Sequence, residues 1–116
     1  MKTTQNNRLI AEFMGLPTEI FSSGNLNYGF EGVWYETEEL SFNIDWNWLM
    51  EVVNKIEELG NDVLITTNYI QIAFDEGEKF IVIEDFNIKI TSVYDACIEF
   101  INWYNLNKET NGDNIE

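Results

Sequence analysis

Apolar positions recur at two different periods along the chain, and the periods divide it into elements. Leu9, Ile10, Phe13 and Met14 fall on one helical face, so the spacing predicts a short helix over 6–14 that Gly15 and Pro17 end. From Leu16 to Asn43 the periodicity fails. Gly24, Gly29 and Gly32 lie among serines and asparagines there, which reads as a long loop with a short strand at Val33–Glu36 inside it. The clearest helix runs from Trp46 to Leu59. Asp45 is its expected N-cap, Gly60 its C-cap, and Trp46, Leu49, Met50, Val53 and Ile56 its expected buried stripe.

The period then switches to two. Residues 63–67 and 69–74 read as strands, the second alternating Ile70, Ile72 and Phe74 against Gln71 and Ala73. Asp75-Glu76-Gly77-Glu78 has turn chemistry, and 79–83 returns as the other arm of a hairpin. A further extended piece is expected over 87–90. A last helix is expected over 93–105, capped by Thr91 or Ser92, with Val93, Ala96, Cys97, Phe100, Ile101 and Tyr104 on its inner face. Together these elements predict an α+β fold in which a small antiparallel sheet packs against about three helices. They form a single domain over 1–107, followed by a flexible polar tail over 108–116.

Composition changes this picture chiefly through charge. Six basic and 21 acidic residues leave a net charge of −15, while 45% of the residues are hydrophobic and 15% aromatic. That is too apolar for a disordered chain and too acidic to approach free nucleic acid or an anionic membrane. The longest apolar runs are a few residues, such as Phe80–Ile83, far below the ~20 needed to cross a bilayer. A polar start at Met1–Asn7 and a single cysteine, Cys97, point to the reducing cytoplasm.

The chemistry that most enzymes use is missing. There is no histidine, so the commonest general base and metal ligand are absent, and one cysteine cannot build a zinc site. Cys97 lies on the apolar stripe of the last helix, which reads as a core thiol. Neither a GxGxxG nor a GK[ST] phosphate cradle occurs, nor does a D-x-[DN]-x-[DN]-G calcium loop. No cofactor, metal or catalytic residue is expected, and the chain reads as a protein without enzymatic activity.

The acid is concentrated. Fourteen carboxylates lie between Leu9 and Glu78 against Lys55 alone, and the densest run is Glu36-Thr37-Glu38-Glu39, set among aromatic residues. Two readings follow. In one, the charge only keeps an aromatic-rich protein soluble. In the other, carboxylates spaced like backbone phosphates occupy the basic groove of a nucleic-acid-handling protein. For the second reading the candidate contact residues are Glu31, Trp34, Glu36, Glu38, Glu39, Asp45, Glu57, Glu58 and Asp62. Trp34 is the expected exposed anchor, since tryptophan is enriched at interface hot spots.

Three blocks carry a resemblance. They are Asn7-Arg8-Leu9-Ile10-Ala11-Glu12-Phe13-Met14-Gly15, Trp46-Asn47-Trp48-Leu49-Met50-Glu51-Val52-Val53-Asn54-Lys55-Ile56-Glu57, and Val93-Tyr94-Asp95-Ala96-Cys97-Ile98-Glu99-Phe100-Ile101-Asn102-Trp103-Tyr104-Asn105. In order and spacing they resemble a family of small acidic proteins of phages and prophages without assigned function. Glu51 stands where that family usually has proline, and Asn102 where it usually has lysine. The resemblance implies a phage protein acting in the cytoplasm of a bacterial host, and it transfers no site residue. The expected function is stoichiometric, anti-CRISPR-like inhibition of a basic host defence protein, such as an RNA-guided nuclease or its ribonucleoprotein. The alternative is a small phage accessory or interaction protein whose acidity serves solubility alone.

Overall fold

A computed structural model describes residues 2–115, with side chains from Lys2 to Lys108. Three helices, α1 (Lys2–Met14), α2 (Trp46–Glu58) and α3 (Lys89–Ile115), enclose one hydrophobic core together with two three-stranded sheets. The first sheet is β1 (Thr18–Ile20), β2 (Leu26–Phe30) and β3 (Val33–Glu36). The second is β4 (Asp62–Ile65), β5 (Tyr69–Phe74) and β6 (Lys79–Glu84). Each is an antiparallel meander in chain order. The fold is α+β, as the periodicities predict, but with two sheets where one was expected.

The second sheet follows its sequence pattern closely. On β5, Ile70, Ile72 and Phe74 are buried and the intervening residues half-buried, because successive side chains on a strand point to opposite faces. The first sheet occupies the stretch that reads as a loop. Its β2 strand contains Gly29, and the reason is local: a Cβ there would lie 3.1 Å from Pro17 Cγ and 3.3 Å from the Trp34 ring. Glycine lets Pro17 and Trp34 close onto the strand backbone, and the Gly29 N–H donates to the Pro17 carbonyl at 2.8 Å. The buried Asn27 and this glycine break the alternation that marks a strand. A two-residue turn, Glu31-Gly32 with φ of 52° and 83°, joins β2 to β3. Positive φ at both central residues gives a twist that matches a hairpin.

On α2 the expected stripe is corrected by rotation. Trp48, Leu49, Val52, Val53 and Ile56 are buried, whereas Trp46 and Met50 are exposed. The two tryptophans project about 200° apart on a helix, so only one can face inward. Trp48 is selected by its tertiary neighbours: Phe30 stacks on it with ring centroids 4.1 Å apart, and the Tyr35 and Phe42 rings meet it edge-on at 4.8 and 5.1 Å. The N-cap at Asp45 is present, its carboxylate accepting from the Asn47 N–H at 2.8 Å.

Further boundaries differ from expectation, and α1 begins at Lys2 where the helix was expected from residue 6. Residues 87–90 are not a strand, and α3 starts at Lys89, with the Ser92 N–H donating to the Ile88 carbonyl at 3.1 Å, so Thr91 and Ser92 lie inside the helix. Its backbone also continues past Asn105 to Ile115. The expected tail over 108–116 falls on side chains that, beyond Lys108, lie outside the described residues.

A buried polar cluster ties the parts together. Asn7, on α1, donates to the Leu40 carbonyl at 2.9 Å and to Asn43 Oδ1 at 3.0 Å, and accepts from the Tyr94 hydroxyl of α3 at 2.9 Å. One amide thereby anchors the segment that follows the acidic run to two helices.

Candidate functional site

The β2–β3 hairpin and the single 3-10 turn after it, Thr37–Glu39, carry most of the sequence-nominated residues. Trp34 sits on β3 opposite Gly29, and Phe21 meets its ring edge-on with centroids 5.8 Å apart. Despite these contacts Trp34 retains 41% exposure and its neighbour Val33 49%. Glycine opposite and Phe21 beside hold the indole in place while leaving part of it open to solvent, which lowers the entropy lost if a partner covers it.

Carboxylates surround this indole along the chain. Glu31 is exposed at the hairpin tip, Glu38 and Glu39 are exposed on the 3-10 turn, and Glu36 is half-buried between them. Glu39 has a structural task as well, since its Oε1 accepts from the Glu36 N–H at 2.8 Å. That bond reaches back over the turn and holds the acidic run in a fixed shape. Asp45 is half-buried and engaged in capping α2, which makes it first of all a structural residue.

A depression of about 460 Å³ beside Trp34 is lined by Glu31, Gly29, Val33, Leu16 and Glu51 among others. Glu51 was not among the nominated residues. It projects from α2, exposed, toward the hairpin, and only the packing of the first sheet onto this helix brings it there. Its position off the apolar stripe is shared by every outer residue of α2, and its departure from the family's usual proline did not point to the hairpin.

The remaining nominated acids are elsewhere. Glu57, Glu58 and Asp62 are exposed around the C-terminal end of α2, about 18 Å along the helix axis from Asp45 at 1.5 Å per residue. The fold thus separates the nine residues into a hairpin group of five containing Trp34, a group of three at the far end of α2, and Asp45 alone at the start of that helix.

Burial shifts the titration of Cys97 and Tyr94, both on α3. Burial pushes the Cys97 thiol up to about 12. Burial, and secondarily the Asp95 carboxylate, push the Tyr94 phenol up to about 12. Both stay protonated at neutral pH, so Cys97 is a packed apolar side chain and Tyr94 a hydrogen-bond donor. Among the described residues no three or more Asp, Glu or Cys side chains gather closely enough to hold a metal ion. No helix among the described residues is long and apolar enough to cross a membrane. No protein-family model, curated protein or solved structure matches the chain.

Proposed function

We propose that the protein is a non-enzymatic inhibitor that binds a basic host protein stoichiometrically, in the manner of an anti-CRISPR acting on a nucleic-acid-handling defence effector. The observation that carries this reading is the partly exposed Trp34, held on a hairpin between Glu31 and the Glu36, Glu38, Glu39 run. An aromatic anchor rimmed by like charges is the arrangement expected of a surface that meets a basic groove. Its resemblance to small acidic phage proteins supports the same reading, as does a charge of −15 that repels nucleic acid but attracts the proteins that bind it.

Affinity capture from host lysate, followed by competition with nucleic acid on the captured protein, tests the proposal. The expected partner is a basic nucleic-acid-binding protein, displaced by its own nucleic acid, with affinity falling steeply as salt rises. The triple change Glu36→Lys, Glu38→Lys, Glu39→Lys reverses the run. If the folded triple variant binds and inhibits as well as the parent, the acidic hairpin is not the contact surface.

A further inference from the structure

The far end of α2 carries a second feature that the hairpin reading does not use. A groove of about 510 Å³ opens where the α2–β4 turn, the β5–β6 turn and α3 meet. Phe100, Trp103 and Tyr104 supply an apolar aromatic floor, and the exposed Asp75 and Glu76 stand at its rim on the β5–β6 turn. Lys108 also lines the groove, with its ammonium 5.9 Å from the centroid of the Tyr104 ring.

We propose that this groove is a second docking site, which takes an arginine side chain presented by a basic protein partner. Charge complementarity favours that occupant. Asp75 and Glu76 line the groove, while Glu57, Glu58 and Asp62 adjoin the Leu59–Asn61 turn that forms its third wall. The carbonyl end of α2, which bears partial negative charge, adds to the same field. An anionic ligand would meet all of these, and a second copy of the chain would bring another −15 to the contact. Aromatic rings under a negative rim suit guanidinium above ammonium, because guanidinium is planar, weakly hydrated and stacks on rings. Lys108 already places this chain's own cation over Tyr104, so that ring face is one a cation can reach. The inference shares with the preceding proposal only the basic character of the partner, and it concerns a different face.

Titration of the 15N-labelled protein with a short acetylated Gly/Arg peptide, against the same peptide with citrulline for arginine, tests it. The indole N–H of Trp103, buried and without a hydrogen-bond partner, is the reporter. The arginine peptide should shift that resonance and the amides of 59–61 and 75–76, and the neutral citrulline peptide should not. Asp75→Asn with Glu76→Gln should weaken binding about fivefold, two partly solvated charge contacts each contributing modestly. These changes keep side-chain size, and asparagine tolerates the positive φ at position 75. The Glu36, Glu38, Glu39 reversal should leave binding at the groove within about twofold, since screening weakens charges beyond a Debye length. Equal shifts with both peptides, no shift near Trp103, or full binding by the Asp75, Glu76 variant overturns the groove. Shifts confined to 31–39 also overturn it while leaving the hairpin proposal standing.

Discussion

Replacing Asn7 by leucine tests whether the buried amide holds the acidic segment in place. Asn7 is 3% exposed, and its side chain makes three hydrogen bonds, to the Leu40 carbonyl, Asn43 and the Tyr94 hydroxyl. Leucine has the same heavy-atom count and branching, and makes none. Asn43 is half-buried and can turn to water, but the Leu40 carbonyl and the Tyr94 hydroxyl stay inside. At ~1–3 kcal/mol for each buried group left unsatisfied, the two together cost about 4 kcal/mol. Burying the leucine side chain returns about 1–2 kcal/mol of that. The expected net loss is about 2–3 kcal/mol, read as a fall in the denaturant midpoint at unchanged m-value in urea melts followed by tryptophan fluorescence. Tyr94→Phe should cost about 1–2 kcal/mol in the parent, where it strands the Asn7 carbonyl oxygen, and almost nothing once Asn7 is leucine. A loss under about 1 kcal/mol for Asn7→Leu, or additive losses in the double variant, would refute the reasoning.

Three other outcomes follow from the structure. Cys97 and Tyr94 both titrate at about 12 in the fold, against 9.0 and 10.0 when unperturbed. The unfolded chain therefore releases these protons first, so their contribution is intact below pH 9 and lost as the pH rises towards 12. Denaturant midpoints should fall over that window, and Cys97 should react with a thiol reagent only as the protein opens. Gly29→Ala would press a methyl group against Pro17 and Trp34; it should cost about 1–3 kcal/mol and alter tryptophan emission, and unchanged emission with unchanged stability would remove the packing argument. Glu31→Asn, at φ 52° on the hairpin tip, should raise stability by about 0.5–1 kcal/mol in thermal melts, because asparagine enters the left-handed region more readily than glutamate.

Much of this protein was legible in one dimension. The second sheet, the N-cap at Asp45 and the inner face of α3 follow from periods of two and 3.6, since a half-buried element must present one face inward whatever it packs against. The charge and its concentration before Glu78 are likewise properties of the chain alone. Of the first sheet only β3, Val33–Glu36, was legible; β1 and β2 were not, because they owe their form to partners, and Gly29 is a strand residue only because Pro17 and Trp34 lie against it. The inward turn of Trp48 rather than Trp46 has the same origin, as both satisfy a helix and only the rings of Phe30, Tyr35 and Phe42 choose between them. So does the division of the acids into a hairpin group with Glu51 and a group around the Phe100–Tyr104 groove. The sequence determined how much charge the protein carries and which elements bear it. Only tertiary packing, which brings together residues far apart in the chain, decided which carboxylates share a surface with an aromatic ring.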